Sequence, residues 1–158
     1  MKNFFIKIIL TTFFLLFTSC GFKVMDNSSL TNFSINKLET FGDKRVNFKL
    51  KNDLEILTAE TSENFINIKI TTNKNKSVKE KNIKNEIEKY KIELKADLQV
   101  SLNTKKEIKR MSFLVTGDFL ASSTHSKTLN NEKKLVDNLT KDLSKKIRNQ
   151  IIIYLNDI

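Results

Sequence analysis

A chain of 158 residues, 39% of them apolar and 29% charged, is long enough to bury one core and short for two. That apolar share excludes a wholly disordered polymer. Ten net positive charges favour an anionic partner by long-range attraction and say nothing about fold.

The first element in the chain is an address. Lys2 and Lys7 make a basic start, and Ile8 to Phe17 is an apolar run the length of a signal-peptide core, too short to span a bilayer. The run ends in Phe17-Thr18-Ser19-Cys20, which resembles the lipobox of bacterial lipoproteins, with Phe17 standing where an aliphatic residue is commoner. Residues 1–19 are therefore expected to be a cleaved lipoprotein signal peptide, and Cys20 the lipidated first residue of the mature chain. Cys20 is the only cysteine, so no disulfide can form within the chain. Acyl chains hold a domain on a membrane because each buried methylene contributes about 0.8 kcal/mol. Gly21 stands where many inner-membrane lipoproteins have Asp, which directs the expectation to the outer membrane. Removal of Lys2 and Lys7 leaves 26 basic against 18 acidic side chains.

Residues 20–32 read as a short polar tether, and 33–158 as a single α+β domain. Phe33 to Thr40 alternates and predicts a first strand. Asp43 is a candidate N-cap for a helix marked by Val46, Leu50, Leu54 and Leu57. Phe65 to Thr72 alternates again and predicts a second strand, whereas the charged stretch 73–85 lacks a sustained period and reads as an exposed loop. Tyr90, Ile92, Leu94, Ala96, Leu98, Val100 and Leu102 recur at strict period two with polar residues between them, the pattern of a long strand with one wet face. A hairpin connection at residues 103–107 leads to a fourth strand through Met111, Phe113 and Val115, with Gly117 suggesting a bulge and Phe119 and Leu120 completing it. After a polar loop, 121–131, the stripe Leu135, Val136, Leu139, Leu143, Ile147, Ile151, Tyr154 and Leu155 predicts a long amphipathic helix whose opposite face carries Lys141, Lys145 and Arg148. The order β-α-β-β-β-α predicts a two-layer sandwich: a four-stranded mixed sheet with both helices on one face and a polar face opposite.

Reactive groups are sparse. His125, the sole histidine, lies in Ser122-Ser123-Thr124-His125-Ser126, where a serine–histidine hydrolase can be imagined without a nucleophile elbow to support it. One histidine and one lipid-committed cysteine supply no zinc ligand set, and Gly21, Gly42 and Gly117 are too dispersed for a phosphate loop. No catalytic residue, metal or cofactor is expected. Export also argues against nucleic acid as the anion. Basic groups sit at element ends: Lys79, Lys81 and Lys84 before the third strand, Lys105, Lys106, Lys109 and Arg110 at the hairpin, and Lys127 before the last helix. Lysines meet phosphates as point charges, so such contacts would be diffuse and salt-sensitive.

Cys20-Gly21-Phe22, the order strand, helix, three strands, helix, the strand led by Glu88-Lys89-Tyr90 and the final helix from Asn131-Glu132 to Leu155 together resemble the LptE family of lipopolysaccharide-assembly lipoproteins. The resemblance implies an outer-membrane lipoprotein on the periplasmic side that plugs and helps assemble an LptD-type β-barrel, binds lipopolysaccharide and catalyses no reaction. It also implies anion-binding positions near the loops before the third strand and before the last helix. The nearest matches are Lys84 and Lys127, with Lys105 and Lys106 as further candidates. The absence of Pro and the very short hairpin depart from the family pattern. The alternative reading is a free-standing lipoprotein that binds anionic lipid or cell-wall polymer.

Overall fold

The computed structural model describes residues 33–55, 64–103 and 107–157. The leader, Cys20, the tether, Leu57, Lys105 and Lys106 lie outside the described residues. The elements are β1 (Phe33–Gly42), α1 (Lys44–Glu55), β2 (Asn64–Lys81), β3 (Ile87–Leu102), β4 (Ile108–Leu120) and α2 (His125–Asn156). The sheet order is β1-β2-β3-β4; β1 runs parallel to β2, and the other neighbours are antiparallel. The expected mixed sheet with two helices is what the chain forms.

Period two on β3 works as the sequence demands. Ile92, Leu94, Ala96, Leu98, Val100 and Leu102 are all buried, and Ile70, Ile68 and Ile66 of β2 stand in register opposite Leu98, Val100 and Leu102. Val46, Leu50 and Leu54 of α1 and Val136, Leu139, Leu143, Ile147, Ile151 and Leu155 of α2 complete the same core. Burying each such side chain contributes roughly 1.5–3 kcal/mol, so the sheet and both helices hold one another. Asp43 caps α1 as expected: its Oδ1 accepts from the backbone N–H of Arg45 at 3.1 Å and of Val46 at 3.0 Å. The β1–α1 corner is fastened to β2 by Thr72, whose hydroxyl donates to Asn47 Oδ1 at 2.7 Å and accepts from the Asp43 N–H at 3.1 Å.

Three expectations are corrected. Residues 73–81 are not a loop; they extend β2, paired in register from Asn73↔Lys95 to Lys81↔Ile87 with shifts around Glu80. Gly117 is not a bulge, because it pairs with Ile92 in unbroken register. A Cβ at Gly117 would lie 2.8 Å from Leu135 Cδ1, so the residue is small to let α2 approach. The polar stretch before the last helix also shrinks to 121–124, since α2 begins at His125 with Thr124 as its N-cap, its side chain accepting from the Lys127 N–H at 3.4 Å. On the far side of α2, Lys141 and Lys145 are exposed, while Arg148 is half-buried.

The face opposite the helices is largely polar, as expected from the alternate residues of β3. Ion pairs run along it, including Lys91–Glu93 at 2.6 Å and Lys95–Asp97 at 3.1 Å. It also carries exposed Phe41, Phe65, Ile108, Leu114 and Leu120, which the polar expectation did not include.

Candidate functional site

Strand directions decide which loops meet. Because β1 and β2 run together and β3 and β4 alternate against them, one end of the sheet gathers the β1–α1 corner, the β2–β3 turn and the β4–α2 connection. The opposite end carries the start of β1 and the β3–β4 connection. Lys79, Lys81, Lys84 and Lys127 therefore share one end, while Lys109 and Arg110 stand at the other. The three basic groups of the sequence do not form one patch.

At the shared end, β2 runs on past the end of β1, which stops opposite Thr72, and its extension pairs with the first half of β3 to make an arm with a free edge on the β1 side. β4 flanks β3 as far as Lys89, so only the β2–β3 turn projects beyond the whole sheet. Its tip is tightly built around Asn82. The Asn82 Oδ1 accepts from the N–H of Lys84 and of Glu86, both at 2.9 Å, and its Nδ2 donates to Glu86 Oε2 at 2.8 Å. The Asn85 N–H donates to the Asn82 carbonyl at 2.9 Å, and Asn85 takes φ 64°, a region Asn tolerates well. This turn presents Ile83 fully to solvent beside Lys84.

Partners separate the cations. Lys79 pairs with Asp118, and Lys81 donates to Asn85 Oδ1 at 2.9 Å. Lys84 and Lys127 have no side-chain partner among the described residues and remain available to an external anion. At the root of the arm, Lys76 donates to Glu132 Oε2 at 2.7 Å and lies 4.3 Å from the Tyr90 ring centroid and 5.2 Å from that of Phe119. Those two rings stack at 5.2 Å. Lys74 sits 3.8 Å from both Asp43 and Glu132. This brace ties the arm to α2 and to the cap of α1. Sequence reasoning missed it because a stretch read as loop gives no reason to aim its lysines at the core side; the alternation of Lys74, Lys76 and Val78 was the available signal.

The imagined serine–histidine pair is not assembled. His125 opens α2, and among the described residues no hydrogen bond joins it to a serine. Ser122 Oγ instead accepts from Asn131 Nδ2 at 3.3 Å. No described helix is long and apolar enough to cross a membrane.

Three solved structures share this arrangement. Rare lipoprotein B from Shewanella oneidensis aligns over 77% of this chain and 98% of its own, at 14% identity and a TM-score of 0.62. Lipoprotein B from Nitrosomonas europaea aligns over 86% and 93%, at 14% identity and a TM-score of 0.56. A Caulobacter crescentus chain aligns over 83% and 95%, at 10% identity and a TM-score of 0.56. No protein-family model and no curated protein matches the chain. At these identities the likeness establishes architecture: the chain has the fold of the lipoprotein B structures.

Proposed function

We propose that this protein is a lipid-anchored lipoprotein of the lipopolysaccharide-assembly type, working as an assembly and binding module and not as an enzyme. In this reading Cys20 carries the lipid and the domain sits on the periplasmic side of the outer membrane. There it plugs and helps assemble an LptD-type β-barrel and binds lipopolysaccharide. The observation that carries the reading is the shared fold with the lipoprotein B structures along nearly their whole length. Lys84 and Lys127, which have no side-chain partner among the described residues, lie at one end of the sheet and suit the phosphates of lipopolysaccharide as point charges.

The test is purification of the tagged full chain in mild detergent. A large outer-membrane barrel and lipopolysaccharide should accompany it, and mass spectrometry should find diacylglycerol on Cys20. Lys84→Glu with Lys127→Glu should reduce the retained lipopolysaccharide several-fold while the barrel is kept. Recovery of no barrel sinks the plug; salt-sensitive binding of anionic lipid or cell-wall polymer with no protein partner would favour the free-standing alternative.

A further inference from the structure

Among the described residues β4 is an edge strand throughout its length, with β3 on one side and no strand on the other. Two contacts fix the direction of the backbone groups it turns away from β3. The Leu114 carbonyl accepts from Lys146 Nζ at 3.5 Å and the Leu120 carbonyl from Asn131 Nδ2 at 3.0 Å, both donors coming from α2. In an antiparallel ladder a residue turns its N–H and its C=O the same way, so the even-numbered residues of β4 offer theirs outward. Their side chains lie on the face opposite the helices, where Ile108, Leu114 and Leu120 are 49%, 56% and 59% exposed. A long edge with free backbone groups and exposed aliphatic side chains pairs with something, or aggregates.

We propose that this edge pairs with the same edge of a second copy of the chain, antiparallel about a two-fold axis through Leu114, making one continuous sheet of both protomers. The order of residues supports a self-complementary register. With Leu114 opposite Leu114, Ser112 faces Thr116, Arg110 faces Asp118 and Ile108 faces Leu120. Hydroxyl meets hydroxyl, opposite charges meet, and the exposed aliphatic residues cover one another, each a stabilising cross-strand combination. All these positions turn their backbone groups outward, so they form the hydrogen-bonded pairs of the new ladder. A slip of two residues in either direction places Arg110 against Thr116 or Leu120 and Asp118 against Ile108 or Ser112, which leaves Arg110 without a counter-charge.

Arg110 has no ion-pair partner among the described residues, and Asp118, though paired with Lys79, has a second face of its carboxylate for another cation. Between β4 and α2 an open groove of about 580 Å³ lies beside Leu114 and Thr116, bounded by Leu139, Asp142 and Lys145. Lys146 releases the Leu114 carbonyl at little cost, since its contact is at the limit of hydrogen-bond length, and the Leu120 carbonyl keeps its 3.0 Å bond from Asn131 and accepts the partner's N–H on its second lone pair. The pairing does not depend on the barrel partner or on lipopolysaccharide; it describes the state of the free protein.

Light scattering of the purified full chain in detergent, corrected for bound detergent, should give twice the protomer mass. Arg110→Asp alone and Asp118→Arg alone each set like charges opposite one another at two symmetric positions and should weaken the dimer at least about tenfold. The doubly exchanged chain, Arg110→Asp with Asp118→Arg, should recover it. Leu114→Cys should also form a covalent dimer on mild oxidation that the unsubstituted chain does not form, because opposed Cα atoms lie about 5.5 Å apart in such a pair, within disulfide reach. A protomer mass at all concentrations, a dimer indifferent to Arg110→Asp, or no recovery in the double exchange would overturn the proposal.

Discussion

Gly42 offers a sharp test of the corner that launches α1. It ends β1 with φ +102°, and a Cβ there would stand 1.9 Å from the Thr72 carbonyl oxygen and 2.9 Å from the carbonyl carbon. Both neighbours are backbone of the paired strand, so neither can rotate away. Gly42→Ala therefore combines a positive-φ penalty of about 1–2 kcal/mol with an overpacking cost of about 1–3 kcal/mol, together about 2–5 kcal/mol. Against the usual 5–15 kcal/mol of a domain, this is a large fraction of total stability. Urea denaturation followed by circular dichroism should show a midpoint lowered by that amount divided by the slope, with the slope unchanged. Gly117→Ala is the comparison. Its added methyl meets the end of the Leu135 side chain at 2.8 Å, which can yield, so its cost should be about 1 kcal/mol or somewhat more. If Gly42→Ala unfolds within 1 kcal/mol of the parent, or if Gly117→Ala is the worse of the two, the argument from rigid and yielding neighbours is wrong.

The brace at the arm's root predicts that Glu132→Gln costs about 1–3 kcal/mol, because it weakens the 2.7 Å charge-assisted bond to Lys76 and removes the counter-charge of Lys74. Hydrogen exchange should quicken in 73–81 more than in 64–72; equal protection in both halves of β2 would count against the brace. On α2, a hydrogen bond from Lys49 and the nearby Arg45 guanidinium hold the Asp137 carboxyl below the usual carboxylate range, against an opposing effect of burial. A carboxyl whose pKa is lower in the folded than in the unfolded chain stabilises the fold above the unfolded value, near 4, and loses that contribution as pH falls through the folded one. Asp137→Asn should therefore cost about 0.5–1 kcal/mol at pH 7 and progressively less in acid; a cost that grows with acidification would refute the linkage.

Much of this molecule follows from local pattern. The strict alternation from Tyr90 to Leu102, the stripe from Leu135 to Leu155 and the cap at Asp43 each specify an element from residues adjacent in sequence, because each element has only one face it can bury. The fate of 73–81 depends instead on partners far along the chain. Lys74 and Lys76 become tolerable on the core side only when Glu132 and the stacked Tyr90 and Phe119 rings reach them, and the backbone bonds of that stretch come from β3. Gly117 looked like a bulge for the same reason: its smallness answers to Leu135 on a helix that had yet to be placed over it. The sequence counted the lysines as three equal clusters. Strand directions put Lys84 and Lys127 at one end and Arg110 at the other, and gave Lys79 and Lys81, but not Lys84 or Lys127, a side-chain partner among the described residues. Short-range periodicity thus determined which residues turn inward, whereas the meeting of loops, the pairing of charges and the exposure of β4 as an edge were decided only once distant segments packed, since those energies act across space and not along the chain.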